Sequence, residues 1–157
     1  MLIAVLADTH GNINSVCEHL KQWKLDGLIF AGDYYRDGEK IAQNLQINYY
    51  GVRGNCDRSE PRARDEEIIQ LMNKKIYLLH GHQYGVKQSV SRLYYRALEL
   101  EVDAVIYGHT HYPHLEQIDK LWIINPGSPS RSRIDSRGSY VLIEIEQNGF
   151  EPRLIYL

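Results

Sequence analysis

The sequence predicts an α/β domain that opens β-α-β-α-β and closes in antiparallel strands, and three observations lead there. Apolar runs of four to six residues recur along the chain, each stopping at a polar or glycine residue, the pattern of strands buried on both faces. Apolar residues at helical spacing separate the early runs. Later segments pair apolar stretches across short polar turns, as hairpins do.

In order, the run over residues 2–7 ends at Asp8. Ile13, Val16, Cys17, Leu20 and Trp23 then mark one face of a helix that Asn12 or Asn14 can cap. The run 28–31 leads into Gly32-Asp33, and Ile41 with Leu45 suit a shorter helix over 37–45. The run 47–52 ends at Arg53-Gly54-Asn55. Residues 67–80 fit a hairpin turning at Asn73-Lys74, whose second arm, 76–79, stops at His80. Val86, Val90, Leu93, Ala97 and Leu98 mark a third helix over 86–101. The run 104–107 ends at Gly108-His109, and 112–125 form a second hairpin turning at Asp119-Lys120, with 121–124 ending at Asn125-Pro126-Gly127. Two further strands cover 140–145 and 153–157. Without an internal repeat or linker, residues 1–157 read as one domain.

Composition narrows the function classes. Apolar residues make up 43% and charged residues 24% of the chain, ordinary globular usage. A net charge of −2 disfavours nucleic acid as the partner, leaving only a local basic patch open to it. The N-terminal apolar run is too short for a secretory signal, and no stretch approaches the ~18 residues of a membrane span. Cys17 and Cys56 are too few for a disulfide framework, which suits a reducing cytoplasm, while the lack of an apolar span and the charge balance point to no membrane partner.

Chemistry gathers where the runs stop. Open α/β sheets bind ligands at the carboxyl ends of their strands, and there stand Asp8, His10, Asp33, Asn55, His80, His109 and His111. Asp8 with His10, and His109 with His111, are spaced by two, so each pair can reach one site from an extended or tightly turning backbone. A lone aspartate after a strand is ordinarily a turn residue, and a lone histidine an ordinary polar residue, the reading given to His19 and His114. Seven together exceed one tetrahedral site. Two adjacent metals sharing a carboxylate fit the count better, with Asp33 the natural bridge. Oxygen and imidazole donors suit Mn²⁺, Ni²⁺, Zn²⁺, Fe²⁺ or Co²⁺.

The blocks D-T-H (8–10), G-D (32–33), G-N-C-D (54–57), H-G-H (80–82) and G-H-T-H (108–111) resemble the calcineurin-like metallophosphoesterases. Spacing and length are most similar to the small bacterial and archaeal phosphodiesterase branch. G-H-T-H alone is a modest signal, whereas five blocks in this order are highly specific. The resemblance implies a four-layer αββα sandwich, two mixed β-sheets face to face with helices outside. It implies two divalent ions, with Mn²⁺ first in order. Asp8, His10 and His111 would hold one; Asn55, His80 and His109 the other; Asp33 would bridge. The implied activity is metal-dependent hydrolysis of a small phosphodiester by a metal-activated hydroxide.

Many members of the family carry histidine where this chain has Cys56, facing the leaving group. The residues expected to take part in catalysis are Asp33, Asn55, His82, Asp57 and Arg58: His82 as the substitute acid or a hydrogen-bonded loop histidine, Asp57 as an orienting group or plain turn residue, and Arg58 as the cation facing the phosphate. Arg53, Arg62, Arg64, Arg131 and Arg133 are further arginines near the same strand ends, and Tyr34 and Tyr35 either wall the pocket or pack. The turn Asn125-Pro126-Gly127-Ser128 is expected to reach the site through backbone alone. Other readings are a non-catalytic scaffold of the same fold, as in a eukaryotic relative that has lost catalytic residues, a phosphomonoesterase, or a nuclease. The full ligand set argues against the scaffold. Small relatives that form dimers or tetramers make self-association a further expectation.

Overall fold

Ten strands and three helices make up the fold in a computed structural model that describes residues 1–11, 13–130 and 137–157. In chain order they are β1 (Leu2–Leu6), α1 (Ile13–Leu20), β2 (Gly27–Phe30), α2 (Tyr35–Leu45), β3 (Asn48–Gly51), β4 (Glu66–Leu71), β5 (Lys74–Leu79), α3 (Ser91–Glu99), β6 (Ala104–Ile106), β7 (Pro113–Ile118), β8 (Leu121–Pro126), β9 (Ser139–Ile145) and β10 (Phe150–Tyr156). One sheet runs β10-β9-β1-β2-β3, with β1, β2 and β3 parallel and the last two strands antiparallel. The other runs β4-β5-β6-β8-β7, parallel through β5, β6 and β8 with antiparallel edges.

Strand alternation explains the stacking. Ile3 and Val5 of β1 pack with Ile76 and Leu78 of β5, Ile106 of β6, and Val141 and Ile143 of β9 in a cluster shared by both sheets. The alternate residues Ala4 and Leu6, with Tyr140 and Leu142, face Val16, Leu20 and Ile41 of α1 and α2. On the far side, Tyr77, Leu79 and Val105 meet Leu93 and Ala97 of α3. The result is the four-layer αββα sandwich. Both faces of each sheet are covered, so the central strands read as continuous apolar runs.

Three local expectations shift. The third helix starts at Ser91 rather than 86: Gly85 turns the chain at φ 67° after a short 3-10 turn over His82–Tyr84, and Ser89 Oγ accepts the Ser91 N–H. The first hairpin turns one residue earlier, at Met72-Asn73, because Lys74 pairs with buried Leu71. Asn14 lies inside α1, and Asn12 falls outside the described residues. The turn at Asp119-Lys120 is as expected, between paired Ile118 and Leu121. Among the described residues no helix is long and apolar enough to cross a membrane.

Candidate metal centre

The carboxyl ends of β1, β2, β3, β5 and β6 bring Asp8, His10, Asp33, Asn55, His80, His109 and His111 to one rim of the sandwich. The backbone there is unusual. Asp8 (φ 55°), His10 (46°), Asp33 (57°), His109 (70°) and His111 (61°) are all left-handed, a region that costs an L-residue roughly 1–2 kcal/mol but that Asp and His enter more readily than most. Each spaced pair therefore converges through a tight turn. The residue between is turned away: Thr9 is fully buried and its hydroxyl donates to Asp37 Oδ2 at 2.8 Å, while Thr110 Oγ1 accepts from Asn125 Nδ2 at 3.1 Å.

Two groups of donor atoms form, each within 4.8 Å: Asp8, His10 and His111, and Asp8, Asp33 and His80. His111 Nε2 lies 3.4 Å from Asp8 Oδ1 and 3.3 Å from His10 Nε2. His80 Nε2 lies 3.5 Å from Asp33 Oδ1 and 3.2 Å from Asn55 Oδ1. The Nδ1 of His80 meets Ala31 O at 2.8 Å, which fixes the ring and aims Nε2 into the site, as outer partners of metal-binding histidines do. The His109 ring packs edge-on to His80, centroids 5.0 Å apart. Burial, and then the His80 imidazole, push His109 down to about 4, so at neutral pH it offers an uncharged nitrogen.

Asp8 decides whether a cation fits. Its Oδ2 accepts the His109 N–H at 2.9 Å, but its Oδ1 is buried with no hydrogen-bond partner among the described residues. A buried carboxylate oxygen left unpaired is costly. Beside the imidazole nitrogens of His10 and His111 and the carboxylate of Asp33, this one is poised for a positive ion. Glycines admit the carboxylates: a Cβ on Gly54 would sit 2.1 Å from Asp33 Oδ1, and one on Gly108 would sit 3.0 Å from Asp8 Oδ2.

The sequence model of the Calcineurin-like phosphoesterase superfamily domain matches residues 1–148. The chain belongs to this superfamily. A probable metallophosphoesterase of Bacillus subtilis, YsnB, is 30% identical over 98% of this chain and 89% of its own length. A phosphodiesterase of Methanocaldococcus jannaschii is 30% identical over 81% of this chain and 83% of its own. Among solved structures, a predicted phosphoesterase from Streptococcus pneumoniae superposes with a TM-score of 0.83 at 27% identity, covering 99% of this chain and 88% of that one.

Within this calcineurin-like site, sequence reasoning missed three supports. Asp37, in the first turn of α2, accepts from Thr9 Oγ1 and from Gly11 N at 2.9 Å, clamping the D-T-H turn. Asn125 is fully buried: its Nδ2 donates to Gly108 O at 2.9 Å and its Oδ1 accepts from Gly127 N at 2.9 Å. Ser128 Oγ donates to Asp8 O at 2.8 Å. The expectation of backbone contact alone from this turn is therefore corrected: side chains of Asn125 and Ser128 reach the ligand loops. An asparagine ending an apolar run, 17 residues from its partner glycine, carried no local signal beyond turn chemistry.

Asp57 is engaged in the turn. Its Oδ1 accepts Tyr35 N at 2.9 Å, capping α2, and its Oδ2 accepts Gly54 N at 2.8 Å. His82 lines a cavity of about 330 Å³ with Arg53, Asn55, Arg58 and Asp65. Its Nδ1 is buried and has no hydrogen-bond partner among the described residues, and burial followed by the His80 imidazole holds its pKa below the usual histidine range. Of the arginines, Arg53 grips Asp65, Arg62 grips Glu39 and Glu60, and Arg64 meets Glu67. Arg58 is exposed and makes no ion pair among the described residues; Arg131 and Arg133 lie outside them. Tyr35 is buried edge-on to Tyr49, whereas Tyr34 lines a cavity of about 530 Å³ with Asn55, Cys56 and Arg58. Cys56 is exposed overall, yet its sulfur lies 3.5 Å from Asn55 Nδ2. Desolvation and the neighbouring Asp33 carboxylate push its thiol up to about 11, so no thiolate nucleophile stands there.

Proposed function

We propose that the protein is a cytoplasmic, metal-dependent phosphodiesterase in which residues 1–157 act as one domain. The observation that carries this reading is the buried, unpartnered Asp8 Oδ1 inside a ring of imidazole and carboxylate donors. Asp8, His10 and His111 are assigned to one divalent ion, and Asn55, His80 and His109 to a second. Asp8 belongs to both compact donor groups, and Asp33, within 3.5 Å of His80 Nε2 and accepting the Cys56 N–H at 2.9 Å, is assigned the shared position. When bound, such a cation pair, with Mn²⁺ the first candidate, supplies Lewis acidity at a phosphoryl oxygen and acidifies water.

The chain's own groups do the rest. Arg58 stands beside Asn55 with no carboxylate partner among the described residues, so its guanidinium is available to a phosphate oxygen. Asp57 holds the G-N-C-D turn and positions Asn55 rather than touching substrate. His82 faces the same space as a neutral hydrogen-bonding group: desolvation disfavours its protonated form, which makes it a poor proton donor at neutral pH. Cys56 stays a thiol, so leaving groups that need little protonation should react best.

The test is hydrolysis of bis-p-nitrophenyl phosphate against p-nitrophenyl phosphate, with metal-stripped protein and then with Mn²⁺, Ni²⁺, Mg²⁺ or Zn²⁺. The diester should turn over only with added metal, and Asp33→Asn should abolish that turnover. Metal-independent hydrolysis, or an Asp33→Asn variant as active as wild type, would remove the reading.

A further inference from the structure

Tyr34 occupies a position that packing does not explain. It follows Asp33 in a second consecutive left-handed residue, φ 71° and ψ 54°, a conformation that a bulky aromatic rarely adopts and that glycine or asparagine would take more easily. Its neighbour Tyr35 is buried against Tyr49, so the aromatic needs of α2 are met without it. Tyr34 is instead 43% exposed, and among the described residues its hydroxyl makes no hydrogen bond. The ring stands edge-on to that of the candidate ligand His10, centroids 5.1 Å apart and planes at 68°. Its outer side lines the 530 Å³ cavity, which also holds Asn55, Cys56 and Arg58. Strain kept at a site edge points to a use for the side chain it presents.

We infer that Tyr34 is a specificity-determining residue, its ring a platform on which a planar aromatic substituent of the phosphoester lies while the phosphoryl group meets the metal ligands and Arg58. This deepens the phosphoester reading above and rests on it for the placing of the phosphoryl group. The substrates favoured are then esters with an aryl or nucleobase-like arm over those with short alkyl arms. The cavity has the size of an ordinary small-ligand pocket, and aromatic stacking is tolerant of which ring is offered.

The test separates binding from turnover. Phenylphosphonate and ethylphosphonate, which have one arm each and no scissile ester, are titrated calorimetrically into the Mn²⁺-loaded protein and into Tyr34→Phe and Tyr34→Asn, with Mn²⁺ affinity measured in parallel. Wild type and Tyr34→Phe should hold the phenyl probe roughly tenfold more tightly than the ethyl one. Tyr34→Asn, which tolerates the backbone, should bring the two probes within about twofold while keeping Mn²⁺ affinity. An undiminished preference in Tyr34→Asn overturns the inference. Equal weakening of both probes, or loss of Mn²⁺, also overturns it and makes the ring a support for His10. A protein that shows the preference but cleaves no diester keeps the platform and loses the hydrolase reading.

Discussion

Asn125 is the most informative residue to perturb, because it connects β8 to the ligand turn after β6 without being a ligand. Asn125→Ala removes three hydrogen bonds at 2.9, 2.9 and 3.1 Å. Of the partners, Gly127 N is buried and loses its bond, whereas Gly108 O keeps the Thr110 N–H at 2.8 Å. At about 1–3 kcal/mol for that one stranded group, the fall in Tm is on the order of 5 °C for a chain of this size. Asn125→Asp is the sharper variant. It keeps the shape and the acceptor for Gly127 N but sets a carboxylate oxygen against Gly108 O, so it should fail about as badly as alanine. The assay is thermal unfolding in chelator, followed by Mn²⁺ titration of each variant at a temperature where it is folded. Loosening the His109-Thr110-His111 turn should weaken metal binding by about 10–100-fold, the usual effect of removing an outer support. If Asn125→Asp were as stable as wild type, or if Asn125→Ala bound Mn²⁺ normally, the brace would not be what sets this turn.

Asp37→Ala strands the buried Thr9 hydroxyl and releases the exposed Gly11 N–H to water, and should lower stability in urea by roughly 1–3 kcal/mol; an unchanged midpoint refutes the clamp. Gly54→Ala places a methyl 2.1 Å from Asp33 Oδ1, so the folded variant should bind less Mn²⁺ per chain, with full stoichiometry as the contrary result. Cys56→Ala should keep most metal-dependent activity, because a thiol at about 11 donates and attacks poorly at neutral pH, and Cys56→His should raise it. A Cys56→Ala protein as inactive as Asp33→Asn would mean that the thiol takes part.

Much of this was legible in the chain for a reason the layers supply. Each sheet is covered on both faces, so β1, β2 and β6 appear as unbroken apolar runs, and their ends are marked by the polar residues of the rim. The five blocks then name the candidate ligands. What stayed hidden is non-local. That β8 inserts between β6 and β7 is a consequence of pairing across the sheet, and no turn residue announces it. Asp37 looks like an ordinary acidic residue in a first helical turn, and Asp57 like a turn residue. Their partners, Thr9 and Tyr35, are 28 and 22 residues away. The start of α3 was misjudged because Val86 and Val90 keep helical spacing while Gly85 and Ser89 control the backbone.

The distribution of the ligands has a physical consequence. Asp8, His10, Asp33 and Asn55 follow strands of one sheet; His80, His109 and His111 follow strands of the other. Hydrogen bonds cross between them, from His80 to Ala31 O, from His109 N to Asp8 Oδ2 and from Ser128 Oγ to Asp8 O. The rim is thus where two independently twisted sheets must agree to within a hydrogen bond, and it carries five left-handed candidate ligands and a carboxylate oxygen with no hydrogen-bond partner among the described residues. Each of those features opposes folding, by about 1–3 kcal/mol apiece, and none would survive if the rim served only to close the sandwich, since Asn or Gly at the turns and an apolar residue at Asp8 would serve better. The shared core of Ile3, Val5, Ile76, Leu78, Ile106, Val141 and Ile143 supplies the stability that lets the rim stay strained. The rim's geometry is accordingly explained by what it is built to bind.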